Sequence, residues 1–157
     1  QPNFALSTNK NVDFVANING EVVNLGKTNL SFSPNFIASN ALIYKPVSNF
    51  QISLLSKYVG EQYLSNLESN ISSSDVLKSY FVNDLNVSYS IDSITILDSI
   101  TFTALVNNIF NERYISNGYY YTFDDTWSNP NVVTTIDGAG FYPQATRNFL
   151  IGVTLKF

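Results

Sequence analysis

NFLIGVTLKF, residues 148 to 157, sets Phe149, Ile151, Val153, Leu155 and Phe157 at alternate positions, with Asn148, Gly152, Thr154 and Lys156 among the residues between them. A period of two is the mark of a strand with one apolar and one polar face. Chain ends ordinarily fray into solvent. A terminal strand that finishes on an aromatic residue, with no polar tail, is therefore expected to belong inside a structure.

The same period returns upstream. In SYFVNDLNVSYSI (79–91) the apolar set is Phe81, Leu85, Val87, Tyr89 and Ile91, facing away from Asp84, Asn86, Ser88 and Ser90. In SITFTALVNN (99–108) it is Ile100, Phe102, Ala104 and Val106, and in FQISLLSKY (50–58) it is Phe50, Ile52, Leu54 and Tyr58. NALIYK (40–45) and FALST (4–8) are shorter versions. A helical period never persists beyond a turn or two, and nothing divides the chain into two domains.

The polar faces are unusual for a soluble sheet. Charged residues make up only 13% of the 157 residues, about half the ordinary share, and Ser, Thr, Asn and Gln take their place. Aromatic residues (Tyr44, Phe50, Tyr58, Phe81, Tyr89 and Phe157) rim the apolar faces. A lipid-facing band with aromatic girdles and a wet lumen has this layout, whereas a β-sandwich, which also alternates, usually shows Lys and Glu outside. No apolar run approaches the ~20 residues of a membrane helix, but membrane strands need only about 9–11. Short links at 45–49, where Pro46 is expected to break the strand, and at 92–98 alternate with long ones at 9–35, 59–79 and 116–146. Tight turns at one end and long loops at the other are expected of an outer-membrane barrel.

Composition excludes several chemistries. With no Cys there is no disulfide framework or thiolate metal site, and with no His there is no Ser-His-Asp triad. A net charge of −4 argues against a nucleic-acid partner. No enzymatic activity and no cofactor are expected. The chain also has no Met, so it is expected to be a processed form or a piece of a longer protein.

LVNNIFNERYISNGYYY (105–121) followed by GFYPQATRNFLIGVTLKF (140–157) resembles the C-terminal end of TonB-dependent outer-membrane receptors, most closely the Bacteroidota type. LSFSPNFIASNALIYKP (30–46) and LLSKYVGEQYLSN (54–66) resemble upstream barrel segments of the same family; the loops at 67–75 and 123–137 depart from it. The resemblance implies an all-β fold: an antiparallel transmembrane β-barrel segment, the last six or seven strands of a barrel of about 22. Residues 1–157 would be the C-terminal portion of that barrel, without the plug and the segment that engages TonB. The implied place is the outer membrane of a Gram-negative bacterium. The implied work is uptake of a scarce nutrient of the ferric siderophore, cobalamin or oligosaccharide class. The implied partners are outer-membrane lipid, the remaining strands and plug, the TonB complex and the barrel-insertion machinery. In such receptors the last strand closes the barrel and its end is an insertion signal. Gly152, Leu155 and Phe157 fit that signal, while Leu150 stands where a polar residue is usual. The alternatives are a soluble all-β adhesin-like module, or a barrel subunit of a larger assembly that does not transport.

Candidate ligand contacts are in the loops. Tyr119, Tyr120, Tyr121 and Trp127 offer ring faces for a sugar or an aromatic chelator, though in a strand Tyr119 and Tyr121 point one way and Tyr120 the other. An interfacial girdle is the favoured reading for them. Arg113 and Arg147, the only arginines, can hold an anionic ligand; pairing with Glu112 or Asp137 is favoured. Asp124 and Asp125 lack the ligand spacing of a calcium loop, and a solvated turn is expected there.

Overall fold

The computed structural model describes residues 1–67, 75–94 and 96–157; part of the divergent loop at 67–75 lies outside them. The described residues form strands β1 (Pro2–Leu6), β2 (Lys10–Ile18), β3 (Glu21–Asn29), β4 (Phe36–Val47), β5 (Phe50–Val59), β6 (Gln62–Tyr63), β7 (Val76–Leu77), β8 (Tyr80–Ile94), β9 (Leu97–Asn107), β10 (Ile115–Asp125), β11 (Thr134–Pro143) and β12 (Asn148–Lys156). Six of them make one antiparallel sheet in the order β1-β4-β5-β8-β9-β12. The other six form three small two-stranded sheets, β2–β3, β6–β7 and β10–β11.

This arrangement separates the two ends of the sheet. Ser48 and Asn49 join β4 to β5, and β8 returns into β9 with Ile94 opposite Leu97. At the opposite end each long connection, at 9–35, 59–79 and 116–146, carries one of the small sheets.

Register sorts the side chains, because residues directly opposite in an antiparallel pair share a face. One row runs Leu42, Leu54, Leu85, Val106, Phe149 and the next Tyr44, Ile52, Val87, Ala104, Ile151. Above them Phe4, Ala38, Tyr58 and Phe81 are aligned, and below them Phe50, Tyr89, Phe102 and Val153. Two mainly aliphatic rows, with Tyr44 and Phe149 at their ends, therefore lie between two aromatic rows, and one polar row of Asn40, Ser56 and Asn83 separates them from the upper one. Tyr58 and Phe50 are eight residues apart on β5, roughly 27 Å along a strand and roughly 21 Å across a membrane at a 40° tilt. That is close to the ~25 Å apolar band of membrane barrels.

None of these apolar side chains is buried. Ile151 is 85% exposed and Phe149 72%, and no second sheet covers the face among the described residues. A sandwich would bury this set. The buried apolar residues Val59, Leu64, Leu77 and Val82 sit instead at the loop end. The other face aligns Gln51, Ser88, Thr103 and Gly152, then Ser90, Thr101 and Thr154. Leu150, the apolar departure from the terminal motif, pairs there with Leu105.

Two expectations change. Among the described residues there are twelve strands, because each long loop carries a strand pair, and six or seven holds only for the main sheet. Pro46 does not break β4, which continues to Val47 through a register shift between Tyr44 and Val47. A bulge tolerates the missing N–H, and β1 has no residue opposite this part of β4.

Candidate functional site

The loop end is built on the sequence NNIFNE (107–112). Asn108 and Asn111 adopt left-handed backbone at φ 52° and 58°, a region that Asn tolerates better than other side chains bearing a Cβ. Asn108 is 4% exposed. Its backbone N–H donates to Asp84 Oδ1 at 2.7 Å, its Oδ1 accepts the Glu112 N–H at 2.8 Å, and its Nδ2 donates to the Glu112 carbonyl at 2.8 Å. Asn111 Oδ1 accepts the Arg147 N–H at 3.0 Å. Two asparagines thus tie the end of β9 to β8 and to the approach to β12, and they fix where the β10–β11 hairpin begins.

On that hairpin, Tyr119 faces Gly140, Tyr121 faces Gly138 and Phe123 faces Ile136. Tyr119 and Tyr121 lie near-parallel with ring centroids 6.3 Å apart; Tyr142 is 6.0 Å from Tyr119, and Phe123 stacks on Trp127 at 6.2 Å. Tyr120 points the other way, as alternation requires. Burial and a hydrogen bond to Asp137 both raise its pKa well above the ordinary tyrosine value. Leu64 packs where a side chain on Gly118 would stand, so this second face lies against the β6–β7 connection.

The hairpin tip is fastened. Asp125 Oδ1 accepts the Trp127 N–H at 3.0 Å and the Ser128 N–H at 3.1 Å. A side-chain hydrogen bond from Ser128, followed by these backbone donors, holds its carboxyl below the usual carboxylate range. Asp124 accepts from Thr135 Oγ1 at 2.6 Å and from Asn17 Nδ2 at 3.1 Å, while Asn19 and Thr135 exchange two hydrogen bonds at 2.6 and 2.8 Å. The tip of β2–β3 is thereby latched to β10–β11, and both acids of the Asp124–Asp125 pair serve turns and latch.

Arg113 lines a cavity of about 410 Å³ with Lys78, Glu112, Tyr114 and Phe141. Arg147 is exposed at the start of β12. The structure does not bring the two arginines to one pocket. At the middle of β12 Gly152 faces the polar side with open space around it, and near the far end Leu155 lies on the apolar face opposite Ile100. Phe157 is 82% exposed.

No protein-family model matches the chain, and no curated protein matches its sequence. Among solved structures it is similar to the ferric citrate transporter FecA in its unliganded form, with a TM-score of 0.48 at 20% identity over 88% of this chain. The chain spans 20% of that transporter.

Sequence reading missed the β2–β3 hairpin, although Asn19-Gly20 is a strong two-residue hairpin signal. Both residues have positive φ, 55° and 79°, as a type I′ turn needs. It also missed Gly138 and Gly140, which matter only once each is seen to lie opposite a tyrosine.

Proposed function

We propose that this chain is the C-terminal wall of an outer-membrane TonB-dependent receptor that imports a scarce nutrient. The observation that carries the reading is the register: six strands place their apolar residues on one uncovered face between two aromatic rows, with tight turns at one end and folded loops at the other. Hydrocarbon is the solvent in which such a face is stable, and in hydrocarbon the open edges of β1 and β12 must pair with further strands. The other strands and the plug of a Bacteroidota-type receptor supply those partners. The small polar side chains of the second face line its lumen, and Gly152, Leu155 and Phe157 present β12 to the insertion machinery. The TonB complex drives transport, and the chain itself catalyses no reaction.

The test is fractionation and uptake in the bacterium that makes the protein. The chain should be recovered with the outer membrane and extracted only by detergent, and uptake of its nutrient should stop when TonB is removed. A monodisperse monomer in plain buffer would instead support a soluble adhesin-like module. Membrane residence with uptake indifferent to TonB would support a barrel subunit that does not transport.

A further inference from the structure

The rings of Tyr119 and Tyr121 lie across the neighbouring strand. A Cβ on Gly140 would strike the Tyr119 ring, and one on Gly138 would strike the Tyr121 ring. Each tyrosine is about half exposed, 51% and 50%, so one ring face covers glycine backbone and the other is open. Their planes are within 23° of one another. Tyr142 extends the row below, Phe123 continues it above, and Trp127 lies parallel to Phe123 within 9° and is 72% exposed.

We propose that this row of rings is a binding platform for a neutral glycan. As the ligand class of the importer described above it rests on that reading, whereas the binding itself rests on the hairpin alone. The row climbs along the strand, about 13 Å from Tyr119 to Phe123, while an interfacial girdle keeps to one height around a barrel. No Lys or Arg stands on this face, and the carboxylate of Asp125 at its end is taken up by the Trp127–Ser128 turn. An anionic ligand would find no counter-charge. The open ring area is roughly 500 Å² from half-covered rings of 150–250 Å² each, short of the ~800 Å² per partner that a stable protein interface needs. A sugar fits the chemistry that remains: its C–H face stacks on the open ring faces, and its hydroxyls meet the tyrosine hydroxyls, Asn117 and Thr134 around the row.

Trp127 is the only tryptophan of the chain, so binding is read directly from its fluorescence. The assembled receptor that carries this chain, in detergent micelles and with any tryptophan outside the chain replaced by phenylalanine, is titrated with maltoheptaose, cellohexaose, xylohexaose and mannohexaose, with polygalacturonate as the charged control. At least one neutral oligosaccharide should change the emission with millimolar or tighter affinity. Tyr119→Ala and Tyr121→Ala should each weaken binding about tenfold or more. Gly140→Val, which keeps every ring but displaces that of Tyr119, should weaken it as well. Tyr120→Phe, on the other face, should leave it unchanged. Response to polygalacturonate alone, no response at millimolar sugar, wild-type affinity in both alanine variants, or quenching of Trp127 by brominated lipid overturns the proposal. A chain that resides in the membrane and supports TonB-dependent uptake, yet ignores every glycan, loses this inference and keeps the importer. A buffer-soluble chain that binds glycans does the reverse.

Discussion

Asn108 grips Glu112 from both sides, accepting its N–H through Oδ1 and donating to its carbonyl through Nδ2, both at 2.8 Å. The side chain does so from a left-handed backbone and from almost complete burial. Asn108→Ala removes both bonds and sets a Cβ residue without a local hydrogen bond at positive φ. It should cost about 2–4 kcal/mol. Asn108→Gly keeps the backbone at ease and should cost about half as much. Urea unfolding of the chain in detergent, with each variant compared to wild type, measures both.

Asn83 stands in the apolar face between Phe81 and Leu85, 3% exposed, with its Oδ1 accepting from Ser56 Oγ at 2.6 Å and its buried Nδ2 unpartnered. An unpaired buried donor costs about 1–3 kcal/mol. The double substitution Asn83→Leu with Ser56→Ala removes the orphaned amide donor together with both members of the Ser56–Asn83 hydrogen bond. It should leave stability unchanged or raise it by about 1 kcal/mol, whereas Ser56→Ala alone should lower it. The backbone bond from Ile109 to the Asn83 carbonyl survives in both.

Asp125 gives the hairpin tip a defined response to pH. Its carboxyl is held low by donors from Ser128 and Trp127, so its contribution is complete above the ordinary carboxylate pKa of about 3.9. It is lost as pH falls through the lower folded value. Trp127 emission should stay constant between pH 5 and 8 and change only below about pH 4. Asp125→Ala should show the acid-form emission at every pH.

The latch between hairpins rests on Asn19 and Thr135, joined by bonds of 2.6 and 2.8 Å. Thr135→Val removes the hydroxyl that links Asn19 to Asp124. Amide exchange at residues 17–20 should speed up about tenfold, consistent with the loss of one to two hydrogen bonds. Exchange along β8 and β9 should stay as it was.

How much of this was legible beforehand depends on where the signal is stored. The staves were readable because period two is local: Phe102, Ala104 and Val106 announce a face without reference to any partner. The hairpins were harder. Asn19-Gly20 was present as a turn, but the bulges at Asp13 and Phe14 break the alternation of β2, and the segment reads as loop. Pro46 reads as a stop because the sequence does not say that β4 is unpaired there on the β1 side. Asn108 and Gly140 escape altogether, since their roles exist only through Glu112, Asp84 and Tyr119, which the fold brings to them. The opposed directions of Tyr119 and Tyr120 could be read from alternation, and the platform beneath the first could not.

The central claim is that the apolar face of the six-stranded sheet touches hydrocarbon. The chain has no cysteine, so single labels are unambiguous, and Thr103 and Ala104 are neighbours on opposite faces of β9. The most direct measurement is the quenching of a fluorophore at Ala104→Cys and at Thr103→Cys by brominated lipid. The protein should be inserted in vesicles as the assembled barrel that the proposed function calls for. Strong quenching at 104 and little at 103 is the predicted result. Equal quenching at both positions, or protection of 104 beneath protein, would contradict it.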